Sequence, residues 1–346
     1  MPKIVSLVKL ASAAASAIRA VDAAVELVEV GGWFDGEYAQ SWPAETVARY
    51  VRGAGYGTQP ERDAILAEAE IILGGFPLPL DLRSRAPKLQ WVHQTPAGAS
   101  NLRSGDLWGS DVAVSTSRGY GETTAIAEYA IAGIMYFAKG FERANIDRER
   151  GTFDNSQYNV RSIEEKTLCV VGAGGIGSET ARLGKVLGMR TVGTRASPQL
   201  HGEPNFDQVA GPDGLHDLLS KSDYVVVSCQ WTESTTKLLN EQAFAAMKRG
   251  AILVNVARGE IVDENALISA LDSGHLHGAI LDVYVGEFES PPPQRLWQHP
   301  KILITPHISY RTDQSRHRAI ELFCTNLDRF LNGESLDNRI DWADGY

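Results

Sequence analysis

Short apolar runs rich in valine, isoleucine and leucine recur along this chain, separated by stretches with apolar residues at helical spacing. Over the first 115 residues the pattern predicts strands at 4–8, 25–30, 70–73, 89–93 and 112–115, with helices at 11–21, 45–53, 62–69 and 78–85. Such alternation implies a parallel sheet covered on both faces. The rhythm returns with strands at 168–171, 190–193, 224–228, 251–256, 279–283 and 302–305 and helices at 178–187, 214–221, 241–247 and 264–273. Longer helices are predicted over 122–139 and 313–331, the second stopped by Asn332-Gly333 and returning to the first domain. Two stretches carry no clear period. Residues 31–60, rich in Gly, Tyr and Trp, read as a long surface insertion, and 143–163 as polar and irregular, suited to a hinge.

Composition narrows the class. The chain has 346 residues, 43% apolar and 22% charged, which suits a globular protein of two domains. A net charge of −10 leaves no general surface for nucleic acid or anionic membrane. Cys169, Cys229 and Cys324 lack metal or CxxC spacing and suit a reducing compartment. Residues 3–17 loosely imitate a signal peptide, but Lys9 interrupts the apolar run, so a strand and a short helix are expected there. No apolar run is long enough for a membrane helix, and a cytoplasmic protein is expected.

The stretch 167–177 adds chemistry to this pattern. A buried-type strand runs into Gly172-Ala-Gly174-Gly-Ile-Gly177 and then an amphipathic helix. That order is the context a dinucleotide fingerprint needs. The first glycine allows a tight turn, the second admits a pyrophosphate, and the third lets the helix pack on the strand.

Ligands of open α/β sheets lie beyond the carboxyl ends of the strands. Arg258, Glu287 and His307 each fall just past a predicted strand. A guanidinium there can clamp a carboxylate and polarise a carbonyl. An imidazole can pass a proton to the developing alkoxide, and a carboxylate bonded to it fixes its tautomer. Singly, each residue is as easily a surface contact or a satisfied loop residue; together they suit reduction of a 2-oxo acid.

Three further motifs sharpen this reading: Asn255-Val-Ala-Arg258-Gly-Glu-Ile-Val-Asp263-Glu-Asn-Ala-Leu267, Leu281-Asp-Val-Tyr-Val-Gly-Glu287 and Thr305-Pro-His307. With Gln94-Thr-Pro-Ala-Gly98 and Ala127-Glu128, they resemble the D-isomer-specific 2-hydroxyacid dehydrogenases over roughly residues 85–330. The resemblance implies an α/β fold of two doubly wound parallel-sheet domains with a cleft between them. The flavodoxin-like substrate domain would take residues 1–117 and 311–346, and the Rossmann dinucleotide domain residues 118–310. It implies Arg258 as substrate anchor, Glu287 as partner and His307 as general acid/base. Amides around Ala97 and Gly98 would bind the substrate carboxylate. Gly172, Gly174, Gly175, Ile176 and Gly177 would hold the dinucleotide, with Cys229, Gln230, Val256, Ala257, Arg258, Asp282 and His307 lining its further reach. A homodimer joined through the helix after residue 121 is expected. The chain departs from the family at Phe288, where proline is common, at Cys229-Gln-Trp231-Thr, and at Tyr310, where small residues are usual. Trp231 either shapes the cofactor pocket or packs, and Tyr310 would narrow the site.

An acidic residue after the second strand normally accepts the ribose 2′-hydroxyl of NAD. No Asp or Glu occurs between Arg190 and Gly202; Thr194, Arg195 and Ser197 stand there instead and suit a 2′-phosphate. NADP(H) is therefore the expected cofactor, with NAD(H) possible. His275-Leu-His277 has no third ligand at suitable spacing and reads as loop, so no metal is expected. The leading expectation is an NADPH-linked reductase of glyoxylate- or hydroxypyruvate-type 2-oxo acids. An NAD-linked phosphoglycerate-type dehydrogenase and a non-catalytic, dinucleotide-sensing corepressor are the alternatives.

Overall fold

The computed structural model describes residues 2–120, 122–196, 204–313 and 315–342. The chain forms two compact units: Met1–Glu122 with Phe288–Ser290 and Thr312–Tyr346, and Thr123–Glu287 with Pro291–Arg311.

In the first unit β1 (Lys3–Ser6), β2 (Glu26–Glu29), β3 (Ile71–Gly74), β4 (Trp91–Gln94) and β5 (Ala113–Thr116) pair in parallel. Their order, β2-β1-β3-β4-β5, is the flavodoxin-like one. Alternate residues point to opposite faces of a strand, and the two cores divide accordingly. Val5, Ile72 and Val92 pack on one face with Leu66 and Leu82. Ile4, Ile71, Leu73 and Trp91 pack on the other with Ile18 of the helix Ser12–Val21 and with Ile320, Phe323 and Leu327 of the helix Ser315–Leu331.

The stretch 31–60 is not the surface insertion its composition suggests. It holds two helices, Asp35–Ser41 and Ala44–Tyr50, and seats Phe34, Tyr38 and Thr46 in the interior. The second answers the helix expected at 45–53; the first, Asp35–Ser41, was not expected, since seven residues make only two turns, too few to establish a period. Part of the stretch expected to be irregular is also helical, Phe141–Arg150, where only Asp147 is buried. A helix polar all round leaves no apolar stripe to read.

Trp91 Nε1 donates to Ser115 Oγ (2.8 Å), and His93 Nδ1 lies 2.8 Å from the same hydroxyl. Burial pushes His93 down to about 3 from its usual 6.5. The unfolded chain therefore binds a proton that the folded chain refuses, so stability is lost as pH falls from about 6.5 towards 3. Urea unfolding at pH 7 and pH 5 should differ by about 2 kcal/mol from this group. A slope unchanged in a His93→Leu variant would remove the attribution.

The second unit carries β6 (Thr167–Val171), β7 (Arg190–Thr194), β8 (Gln208–Ala210), β9 (Tyr224–Val227), β10 (Ala251–Asn255), β11 (Leu276–Leu281) and β12 (Ile302–Ile304). Among the described residues these form one parallel sheet, β12-β11-β10-β9-β6-β7-β8. The faces again divide by alternation. Leu168, Val170, Val226 and Val254 face the helices Thr123–Ala138 and Gly175–Val186, whereas Cys169, Val171, Val227 and Leu253 face Leu215–Lys221, Glu241–Ala246 and Glu264–Asp272. The strand order reverses between β6 and β9, which places a crevice at their carboxyl ends.

Candidate active site

The glycine turn leaves β6 at that crevice. Gly172 has φ +106°, and a Cβ there would lie 2.5 Å from the Cys229 amide nitrogen, in the loop leaving β9. A Cβ on Gly177 would strike the Gly172 carbonyl oxygen and approach Val170 Cγ1 to 2.8 Å. Packing alone therefore demands both glycines. Gly174 and Gly175 are different: a Cβ on either meets nothing within 4 Å. The helix Gly175–Val186 begins there with no side-chain cap and no acidic residue in its first turn. Uncapped amides at a helix N-terminus, beside backbone stripped of side chains, form an anion cradle. The turn fits a dinucleotide pyrophosphate, with Gly174, Gly175, Ile176 and Gly177 supplying the backbone.

β7 ends beside this turn, since Gly172 and Ala173 both donate their amides to Thr194 O (3.1 and 2.7 Å). Thr194 is buried and Arg195 half-buried. The first described carboxylate after them, Asp207, is already engaged: its Oδ2 accepts the Thr191 amide (2.8 Å) and its Oδ1 meets Lys185 Nζ at 3.0 Å. Ser197 lies outside the described residues. Burial pushes the Cys229 thiol up to about 12, which keeps it neutral; Gln230 beside it is exposed. Trp231 packs on the core of the second unit, its Nε1 donating to Thr236 Oγ1 (2.9 Å).

At the end of β10, Val256 and Ala257 are buried and Arg258 is half-buried. Asn255 sets this corner: its Nδ2 donates to Arg258 O (2.9 Å) and its Oδ1 accepts the Ala257 amide (3.0 Å). Arg258 Nη1 donates to Ala257 O (2.7 Å), which pins one terminal nitrogen of the guanidinium. Gly259 is required because a Cβ would collide with the Tyr284–Val285 backbone. An Asn three residues before an Arg-Gly pair is thus a structural signal as well as a chemical one. The positioning role of Asn255 was not apparent from its place in the motif.

His307 and Glu287 come together. His307 Nδ1 stands 3.1 Å from both carboxylate oxygens of Glu287, which is 3% exposed. The acceptor-only carboxylate dictates that Nδ1 carries a hydrogen, leaving Nε2 for chemistry. His307 sits at φ +54°, a left-handed backbone uncommon outside glycine. Strand register explains what holds it. Leu281 pairs with Ile304, so Asp282 falls opposite Thr305. Asp282 Oδ1 accepts from Thr305 Oγ1 (2.5 Å) and the Ile308 amide (2.8 Å), and Oδ2 from the Ser309 amide (2.9 Å). The carboxylate expected only to meet a cofactor thus also organises the loop of the histidine. Tyr310 stacks edge-on against His307, ring centroids 6.0 Å apart.

Ala97 and Gly98 belong to the other unit, in the loop leaving β4, where Gln94 Nε2 donates to Gly98 O (2.5 Å). Of the histidine pair, His275 Nε2 bonds Met247 O (3.0 Å) and His277 lies within β11. Among the described residues no cluster of three His, Cys, Asp or Glu could hold a metal, and no helix is long and apolar enough to cross a membrane.

The family model for the D-isomer specific 2-hydroxyacid dehydrogenase NAD binding domain matches residues 131–309. A putative 2-hydroxyacid dehydrogenase of Haemophilus influenzae is 31% identical over 265 residues, covering 71% of this chain and 78% of its own. D-3-phosphoglycerate dehydrogenase of Rattus norvegicus is 30% identical over 279 residues, 78% of this chain but 50% of its own, so the chain spans about half the length of that relative. A solved D-isomer specific 2-hydroxyacid dehydrogenase from Xanthobacter autotrophicus Py2, in complex with NADPH and MES, superposes with a TM-score of 0.76 at 26% identity. That match covers 100% of this chain and 99% of the other. This chain belongs to the D-isomer specific 2-hydroxyacid dehydrogenase family.

Proposed function

We propose that this protein reduces small 2-oxo acids of the glyoxylate or hydroxypyruvate type to D-2-hydroxy acids, with NADPH preferred over NADH. The observation that carries the reading is the Glu287–His307 pair, with Arg258, on the carboxyl edge of the sheet whose glycine turn fits a dinucleotide. Arg258 holds the substrate carboxylate and polarises the adjacent carbonyl. Gly174, Gly175, Ile176 and Gly177 would hold a dinucleotide by its pyrophosphate, whose reduced nicotinamide would supply the hydride to the carbonyl carbon. His307, as the imidazolium, delivers its Nε2 proton to the carbonyl oxygen and is left as the Nδ1–H tautomer, held by Glu287. In the reverse direction the same nitrogen accepts the hydroxyl proton.

The cofactor preference rests on the end of β7. Arg195 offers a guanidinium to a 2′-phosphate, and Asp207 is occupied by Thr191 and Lys185. The related Xanthobacter protein binds NADPH, which supports this reading. The similarity to D-3-phosphoglycerate dehydrogenases favours a second one, an NAD-linked enzyme of a phosphorylated 2-hydroxy acid.

The two separate when loss of NADPH and NADH absorbance is followed in parallel against glyoxylate, hydroxypyruvate, pyruvate and 3-phosphohydroxypyruvate. The expected outcome is kcat/KM at least about tenfold higher with NADPH, lost in an Arg195→Ala variant through KM for the cofactor. Preference for NADH with the phosphorylated substrate would establish the second reading. Tight dinucleotide binding with no turnover would favour a sensor.

A further inference from the structure

Thr305 has one hydroxyl hydrogen, and the Asp282 carboxylate can only accept. Thr305 Oγ1 lies 2.5 Å from Asp282 Oδ1 and 2.5 Å from the Tyr129 hydroxyl. The threonine hydrogen is committed to Asp282, so Tyr129 must donate to Thr305. A directed chain results: Tyr129 to Thr305 to Asp282. Its inner end also takes the Ile308 and Ser309 amides, and the His307 amide donates to Asp282 O (3.0 Å). Residues 305–309 are thereby wrapped around one carboxylate, with the left-handed His307 in the middle.

Tyr129 is the fixed end of this chain. It sits on the helix Thr123–Ala138 and packs on the core that contains Val254 and Ile280. Burial, more than the neighbouring Asp282, raises its phenol well above the usual range, so the donor hydrogen stays in place. A donor on a rigid element in low-dielectric surroundings strengthens the bonds that follow it.

We propose that Tyr129 is a positioning residue for His307, its hydroxyl acting through Thr305 and Asp282 to hold the strained backbone that presents the imidazole. The proposal rests on the reductase reading for its kinetic consequence, but not for its structural one.

The test uses the full chain with Tyr129→Phe, Thr305→Val, Thr305→Ser and the Tyr129→Phe/Thr305→Val double variant. Tyr129→Phe should lower kcat about tenfold, the order one buried hydrogen bond carries, with KM for NADPH within about twofold. Thr305→Ser should retain most of the activity that Thr305→Val loses. The double variant should be no more than about twofold slower than Thr305→Val, because both remove one chain. Hydrogen exchange followed by mass spectrometry should quicken in peptides over 302–311 of Tyr129→Phe, and stay unchanged over 167–186.

A kcat within about twofold of the parent, or losses that add in the double variant, would overturn the proposal. So would unchanged protection of 302–311. If the parent turns over no 2-oxo acid, the reductase reading fails, and the exchange comparison alone decides whether Tyr129 holds the loop.

Discussion

His307→Asn should lower kcat by about 10²- to 10⁴-fold, the usual contribution of a positioned acid–base group, with NADPH binding almost unchanged. Asparagine is the informative replacement because position 307 has φ +54°, which asparagine tolerates better than alanine. The loop should keep its shape, held by Asp282 through Thr305, Ile308 and Ser309. What is lost is Nε2, the nitrogen proposed to exchange a proton with the substrate, and the Nδ1–H that meets Glu287. Stopped-flow or steady-state turnover, with cofactor binding measured by fluorescence, separates chemistry from affinity. Turnover within about tenfold of the parent would sink the role assigned to His307.

The second large effect separates two glycines of the fingerprint, Gly177 and Gly174, by what a side chain would meet at each. Gly177→Ala should cost about 1–3 kcal/mol of stability, since its methyl would be driven into the Gly172 carbonyl and against Val170. The helix Gly175–Val186 could then no longer sit on β6, and dinucleotide binding would fall with the fold. Gly174→Ala should change stability by less than about 1 kcal/mol, because a Cβ there meets no protein atom and φ is −88°. Its affinity for NADPH should nevertheless drop at least about tenfold, because the methyl occupies the side from which a pyrophosphate approaches. Thermal unfolding and equilibrium binding on both variants decide the matter. Equal destabilisation of the two, or normal binding by Gly174→Ala, would refute the proposed distinction.

Much of the candidate site was legible because its parts are local. The glycine turn, the Arg258-Gly259 corner and the Thr305-Pro-His307 stop each lie within a few residues of a strand with a strong apolar pattern. In the aromatic stretch 31–60 the helix expected at 45–53 is present as Ala44–Tyr50, but Asp35–Ser41 was not legible: a two-turn helix carries no measurable period, and Phe34 and Tyr38 reveal their burial only when the sheet is present. Nor could the Phe141–Arg150 helix be read, because its polar faces offer no stripe.

The chain by itself determined the family, the strand–turn–helix fingerprint and the candidates Arg258, Glu287 and His307. These depend on residue type and on spacings spanned by single elements. Tertiary structure decided how the candidates are held. Asp282 and Thr305 are neighbours only because β11 and β12 pair in the register Leu281 to Ile304, and Tyr129 reaches them from a helix far earlier in the chain. Register and helix packing are set by the whole interior at once, so no window of sequence contains them.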